Sequence, residues 1–492
     1  MHGFVYTSYD KGTYSSPTST LALQKLASTN VRVIELMATY YVDNSVNATS
    51  IHATQSTPTD ADILRAIADA HAAGLQVALK PHIDSLDQVW RANIGTHFTT
   101  EQQWSDWFAS YTAFILHFCG LYVQGGVTSG FNVGTELDGT HWREAQWRAV
   151  IAAARAALPA GTPLWLGPNW SWNNTQGYRN VHFWDALDFL GVDMYHPLAS
   201  HADPTLQEAI AGWGPIVADL EDFWQAAGGK KGFVLAEIGY ASYPQAATNP
   251  PGCCSGRPDE ATQSILYQSF FSAVWGQPFF AGVFWWAWDA SHAQAVACTT
   301  DFEILGKAAQ TIVRNAYGSS SDGSSGSGSG GVYSNGATSW ADWSWGSSVN
   351  LKDAQQPFPG HTYSASARLG AEYGALALRA PSPFNLSAYT ALEFNLHADG
   401  SPQSYALEVF LCACDDCSSE SPQCPKLPAV QVGTYSPASS PCDVPSSWAG
   451  STYSVPLADL LGGPVGAAPT ISRVQWGGKG NLTFAVDNVA FN

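Results

Sequence analysis

Residues 130–138 read Gly-Phe-Asn-Val-Gly-Thr-Glu-Leu-Asp, and residues 233–239 read Phe-Val-Leu-Ala-Glu-Ile-Gly. Each is a short apolar run that finishes in a glutamate, Glu136 in the first and Glu237 in the second. Strands of a parallel barrel have this form, because both of their faces are covered and chemistry collects at their C-terminal ends. Alternation along the first run puts Asn132, Gly134 and Glu136 on one face and Phe131 and Val133 on the other. Glu136 is therefore expected to point into a barrel mouth.

Working outward, comparable runs occur at 3–7, 31–36, 76–80, 164–166, 189–194 and 282–286, which with the first two make eight. Helical patterns lie between them, such as 60–73, opened by Thr59 as an N-cap and closed by Gly74, and 104–118 with aromatics at helical spacing. Eight strand-then-helix units within residues 1–317 predict an α/β fold of the (β/α)8 barrel type. Residues 318–331 are Gly and Ser interrupted only by Asp322, a composition that cannot bury apolar surface and reads as a flexible tether. From 332 to 492 the rhythm changes to short alternating runs, such as 391–396, 405–412, 474–477 and 483–491, separated by Pro, Gly, Ser and Asn. That pattern predicts an antiparallel β-sandwich.

Composition narrows the function classes. The 492 residues are 45% hydrophobic, 13% aromatic and only 12% charged, against a usual charged share of about 25%, so disorder is excluded. Lys plus Arg is 21 and Asp plus Glu is 40, a net charge of −19, which disfavours a nucleic-acid partner because phosphate contacts need a basic face. No apolar run reaches the roughly 18 residues needed to span a bilayer, so no membrane role is expected. No leader of basic, apolar and small residues precedes the first strand, and export is argued instead from cysteine. Five of the nine Cys (Cys412, Cys414, Cys417, Cys424 and Cys442) crowd one stretch, as in disulfide-stapled extracellular modules. A zinc site there lacks a His and a second pair at a familiar spacing, so disulfides are expected and no metal. Sequons at Asn47, Asn173, Asn385 and Asn481 fit glycosylation of a secreted chain, although chance alone places on the order of three.

Two carboxylates at barrel strand ends suit glycoside hydrolysis, in which one stays protonated to serve the leaving oxygen and the other stays ionised at the anomeric carbon. An isolated barrel-end Glu is more often an ion-pair partner. Two of them, on strands four and seven with aromatics nearby, favour chemistry. The last barrel strand reads Gly-Val-Phe-Trp285-Trp286-Ala-Trp288-Asp289. Alternation assigns Trp286 and Trp288 to a sugar platform and Trp285 to the core. Lys80, His82, Asn169, Trp170, Asp193 and Tyr195 form a polar ring of strand-end residues suited to a hydroxyl-rich substrate, although a lone His such as His82 is more often structural.

The segments Leu79-Lys-Pro-His-Ile-Asp84, Trp90-Arg91, Gly134-Thr-Glu-Leu137, Phe183-Trp-Asp-Ala-Leu-Asp188, Gly191-Val-Asp-Met-Tyr195, Ala236-Glu-Ile-Gly-Tyr240 and Gly282-Val-Phe-Trp-Trp286 together resemble glycoside hydrolase family 113. The resemblance implies a clan A retaining hydrolase, typically an endo-β-1,4-mannanase, without an organic cofactor. It implies that Glu136 is the acid/base, Glu237 the nucleophile and Tyr195 the tyrosine that supports the nucleophile. The matched segments add Trp90, Arg91 and Tyr240 to the substrate-binding residues. Many clan A enzymes carry Asn before the acid/base, and here Thr135 stands there. The loop after Glu237 carries Pro250-Pro-Gly-Cys-Cys254, which lies outside the family pattern. Its vicinal Cys253 and Cys254 either chelate a metal or form disulfides, and an exported chain favours a disulfide to Cys298 or Cys119.

In the second domain, Trp340-Ala-Asp-Trp343-Ser-Trp345 and Val486-Asp-Asn-Val-Ala-Phe491 look like β-sandwich modules appended to secreted carbohydrate-active enzymes. Their aromatics either form a glycan-binding strip or fill the sandwich core. The expectation is a secreted, monomeric, retaining, endo-acting β-1,4-mannanase that acts on β-mannan or glucomannan and carries a C-terminal glycan-binding sandwich. Its rivals are an exo-acting β-mannosidase, a hydrolase of another β-linked wall polysaccharide, and a non-catalytic wall-binding protein. Against the last, both glutamates and the aromatic mouth are intact.

Overall fold

The computed structural model describes residues 1–44, 46–170, 177–254, 256–295 and 299–318. In the C-terminal part it describes 331–333, 340–342, 344, 347–353, 364–369, 374–386, 391–398, 407–413, 427–432, 451–461, 470–478 and 483–491. The chain forms two compact units, and the first holds all eight parallel strands. These are β1 (His2–Thr7), β2 (Val33–Val42), β3 (Gln76–Ser85), β4 (Phe131–Thr135), β5 (Leu164–Gly167), β6 (Leu190–Asp193), β7 (Phe233–Ile238) and β8 (Phe280–Asp289). They pair in the order β5-β4-β3-β2-β1-β8-β7-β6. The remaining seam between β5 and β6 is bridged at Asn169 and Asp193, where the Asp193 N–H donates to Pro168 O at 2.8 Å and the Trp170 N–H to Asp193 O at 3.1 Å. The sheet is thus nearly closed into the expected barrel.

Helices α1 (Pro17–Ala27), α2 (Asp60–Ala72), α3 (Glu101–Gln124), α4 (Glu144–Ala157), α5 (Leu206–Ala226), α6 (Glu260–Ala273) and α7 (Ala308–Gly318) follow the strands. Thr59 caps α2 in a reciprocal capping box with Asp62, and Thr100 caps α3 with Gln103 in the same way. The fifth unit departs from the repeat. Among its described residues the connection from β5 to β6 holds two short 3-10 turns, Gly177–Asn180 and Trp184–Ala186, in place of an α-helix. Inside the barrel, Val5, Val33, Met37, Ala78, Trp165, Val234, Ala236 and Phe284 form an apolar floor from opposite strands. Trp165 stacks on Phe284 within it, at 5.7 Å between ring centres.

The second unit contains two antiparallel sheets. One comprises β10 (Ala341–Asp342), β13 (Gly374–Asn385), β18 (Thr470–Gly478), β15 (Glu408–Cys412) and β16 (Ala429–Gln431) in that order. The other comprises β11 (Ser347–Asp353), β12 (Ser364–Leu369), β19 (Thr483–Phe491), β14 (Ala391–Ala398) and β17 (Ser451–Pro456), with β9 (Gly331–Tyr333) also on β19. Phe394 of one sheet meets Trp476 of the other edge-on at 5.3 Å, and Trp340, Tyr453, Phe484 and Phe491 join the same buried core. These aromatics fill the sandwich, which favours packing over a surface strip for each of them. Trp343, Trp345 and tether residues 319–330 lie outside the described residues.

The cysteine expectations need one correction. Cys253 and Cys254 are bonded to each other, and Cys119 is a free thiol. Cys119 is wholly buried in the packed face of α3, whereas Cys253 and Cys254 are exposed on the loop after β7. Cys412 is disulfide-bonded; Cys298, Cys414, Cys417, Cys424 and Cys442 lie outside the described residues. Of the sequons, Asn47 and Asn385 are exposed, and Asn173 and Asn481 fall outside the described residues. Among the described residues no helix is long and apolar enough to cross a membrane, and no group of three or more His, Cys, Asp or Glu is placed to hold a metal.

Candidate active site

Glu136 directly follows β4, but simple alternation does not aim it. Val133 and Gly134 together stand opposite the single residue Leu166 of β5, a bulge that reverses the expected facing of Gly134. A Cβ at Gly134 would lie 2.9 Å from Tyr111 of α3, Trp147 of α4 and Leu166, so the residue faces the helices and only glycine fits. Beyond the bulge, Glu136 itself takes the left-handed φ of 52° while its N–H donates to Gly167 O at 2.7 Å. Bulge and turn together present the carboxylate to the mouth. Glu237 is also set by a shift of register, since Asp193 and Val192 of β6 pair with Glu237 and Leu235 and leave Ala236 as the extra residue.

Both glutamates line one pocket of about 360 Å³ at the C-terminal ends of the strands, a size suited to a small ligand. Trp90, Arg91, Asn169, Trp170, Tyr195, Pro251, Trp286 and Phe302 complete its wall. Trp90 Nε1–H donates to Glu136 Oε2 at 2.8 Å, and Arg91 Nη1 approaches the same oxygen at 2.5 Å. Arg91 is anchored in turn by Asp84 and by the Ile83 carbonyl. Asn169 donates to Asp138 at 2.7 Å, and Trp170 lies against His196.

Glu237 has different partners. Tyr195 O–H donates to its Oε2 at 3.1 Å, and the Lys80 ammonium lies 3.1 Å from its Oε1. Lys80 also pairs with Glu35 at 3.3 Å, and Glu35 accepts from Asn132 and Trp165 at 3.1 and 3.0 Å. Lys80 is wholly buried and outside the pocket lining, so it supports Glu237 from beneath. Burial works against its charge, yet Glu237 and Glu35 outweigh burial and hold the ammonium more strongly protonated than usual.

Burial acts on two of the carboxyls. Burial pushes Glu136 up to about 7, with the charge of Glu237 adding to the rise and Arg91 opposing it. Asp193, wholly buried, is driven well above the ordinary carboxylate range by burial and then by Glu237, with Lys80 opposing. A carboxyl pushed by burial toward its protonated form beside Arg91, and a second carboxyl held by Lys80 and Tyr195, thus face one cavity, a difference of surroundings that glycosyl chemistry can use.

Four assigned binding residues fall outside the pocket lining. Lys80 has just been described. His82 is buried, with Nδ1 3.1 Å from Thr39 Oγ1, and burial followed by Arg91 and Lys80 holds it far below the usual imidazole range, hence neutral. Tyr240 packs edge-on against Tyr267 of α6, in the aromatic layer that Tyr267 shares with Trp285. Trp288 is wholly buried, donates to the Ala22 carbonyl of α1 at 3.2 Å and meets Phe4. The reason is again an extra residue: Trp286 and Ala287, joined by a cis peptide, stand opposite Val5 alone, and the facing of Trp288 reverses. Trp286 remains at the pocket and Trp285 in the core.

Sequence reading did not select Glu35, although a lone acid inside the apolar run Val33-Ile-Glu-Leu-Met37 is a usable signal of a buried charge. Pro251 and Phe302 lie on long loops, where no periodicity marks a lining residue.

Residues 3–307 match Glycoside Hydrolase Family 113. Among solved structures, a family 113 β-1,4-mannanase aligns over 65% of this chain and 99% of its own, with a TM-score of 0.57 and 21% identity. The family 113 β-mannanase AaManA from Alicyclobacillus acidocaldarius, solved in complex with ManMIm, aligns over 64% and 96%, with a TM-score of 0.56 and 23% identity. No curated protein matches the chain. The barrel closes around two carboxyls in contrasting surroundings, and the family match spans all eight of its strands: the chain belongs to glycoside hydrolase family 113.

Proposed function

We propose that this glycoside hydrolase cleaves β-1,4-mannosidic linkages with retention of configuration. The observation that carries the mechanism is the contrast between Glu136, proton-bearing up to about pH 7, and Glu237, paired with Lys80 and Tyr195 in the same pocket. Glu237 attacks the anomeric carbon as the C–O bond to the leaving sugar breaks, and the proton of Glu136 passes to the departing oxygen. Water then attacks the glycosyl ester, gives its proton to Glu136 and frees Glu237. Trp286 supplies a flat apolar face for the sugar, and Asn169 and Arg91 supply polar contacts. The choice of mannan is supported by relatives described as β-mannanases, and export by the paired Cys253 and Cys254 and the bonded Cys412.

Stereochemistry tests the mechanism. NMR before mutarotation should find the first product with the β configuration. With azide and an aryl mannoside, Glu237→Ala should yield the α-azide, because the anion takes the place of the missing carboxylate, and Glu136→Ala the β-azide, because Glu237 still forms the intermediate. An α-anomer from the unmodified enzyme overturns retention. Product sizes from mannan, glucomannan, xylan, cellulose and chitosan test the substrate.

A further inference from the structure

Six residues beyond Glu136, Trp142 is 62% exposed, more than any other large apolar side chain among the described residues. An indole left this far in water contributes little to the core, yet it is held firmly. Its Nε1–H donates to Gly139 O at 3.1 Å, the Arg143 guanidinium lies 4.2 Å from its ring, and Trp104 meets it edge-on at 5.2 Å. Arg143 is fixed in turn by two hydrogen bonds to Glu101, at 2.8 and 2.7 Å, and by the face of Trp104 at 4.5 Å. A surface aromatic restrained by three neighbours loses little conformational entropy when it binds a ligand.

Its place in the fold is informative. Arg143 precedes the first turn of α4, while Glu101 and Trp104 belong to the first turn of α3. In a (β/α)8 barrel the helices begin at the face where the strands end, so Trp142 stands on the catalytic rim. Its loop is continuous with the pocket: Asp138 binds Asn169, and Gly139 packs so closely on the loop after β3 that a Cβ there would lie 2.5 Å from Ile94 O and 2.7 Å from Ala92 O. That second loop carries Trp90 and Arg91, the partners of Glu136. Six residues of chain span no more than about 20 Å, within reach of a short oligosaccharide seated in the pocket. The charge of Arg143 is matched by Glu101, so the indole sits in locally neutral surroundings, suited to an uncharged sugar.

We propose that the Trp142 indole, clamped by Arg143 and Trp104, is a distal platform that takes the apolar face of an uncharged pyranose some units away from the bond cleaved. The proposal rests on the glycosidase reading and extends it from one pocket to a polymer track on the Glu136 side.

The test compares kcat/KM for an aryl β-mannoside and for β-1,4-linked manno-oligosaccharides of increasing length, with cello-oligosaccharides alongside, in the unmodified enzyme, Trp142→Ala and Trp142→Phe. The ratio of long to short substrate should fall roughly three- to tenfold in Trp142→Ala, the scale of one aromatic contact, chiefly through KM. Trp142→Phe should recover part of that ratio. An unchanged ratio in Trp142→Ala, or an equal loss on every substrate, overturns the platform while leaving the glycosidase reading standing. Failure of the unmodified enzyme to cleave any of these glycosides overturns both. A melting curve for each variant separates misfolding from lost binding, and Trp142→Phe keeps the comparison open if the alanine variant does not fold.

Discussion

The Lys80 ammonium lies 3.1 Å from the Glu237 carboxylate at a point where the two side chains are 0% and 5% exposed. A cation so placed has no water to fall back on, and the carboxylates around it have no other cation as near among the described contacts. Removing one partner of a buried pair leaves the other uncompensated and costs about 3–5 kcal/mol. Lys80→Met should therefore lower stability by that order in denaturant unfolding and abolish most activity. Lys80→Met with Glu35→Gln should regain part of the stability, because one stranded charge is removed with the cation, without regaining turnover.

The pH profile of kcat/KM should fall on its alkaline side near pH 7, where Glu136 loses its proton. Arg91 opposes the rise of Glu136, so its removal makes the carboxylate harder to form. Arg91→Met should shift the alkaline limb to higher pH, at reduced rate, and Glu136→Gln should flatten it. A limb that stays in place in both variants would move the acid role to another group.

Stability should respond to the same proton. The folded-state value for Glu136, about 7, lies above its ordinary value of 4.5, so the native state binds the proton more tightly than the unfolded chain. The site's contribution to stability then declines as pH rises through that interval, by about 3 kcal/mol at most. Melting curves of Glu136→Gln and the unmodified enzyme should differ least near pH 4.5 and diverge, with the Gln variant higher, by pH 8.

Trp286 and Trp288 should fail in different ways. Trp286→Ala removes a pocket wall and should raise KM with a modest change in melting temperature. Trp288→Ala empties a buried space beside Phe4 and α1 and should cost about 3–5 kcal/mol of stability.

Eight strands, and the place of two glutamates at the barrel mouth, are legible because a parallel strand needs an apolar run on both faces and a polar residue can follow only at its end, as in 131–136 and 233–237, whose glutamates line one pocket. What alternation missed has a common physical origin. Each of β4, β7 and β8 carries one extra residue near its C-terminal end, and a single added residue reverses every facing beyond it. Trp288 was misplaced for that reason, and Glu136 reaches the mouth by a bulge and a left-handed turn instead of by period two. The support beneath Glu237 is half visible in the sequence: Lys80 stands out as a strand-end residue, but its pairing with Glu35 is a contact between neighbouring strands that no local pattern records.

The bond between Cys253 and Cys254 joins adjacent residues and so encloses no stretch of chain. A crosslink stabilises chiefly by restricting the unfolded chain in proportion to the loop it closes, and here that loop is nil. With Cys119 a lone buried thiol, this linkage gives the barrel no covalent brace. Among the described residues no disulfide closes a loop of the barrel, so a thiol reductant that opens this bond should leave the melting temperature of the barrel close to that of the oxidised enzyme.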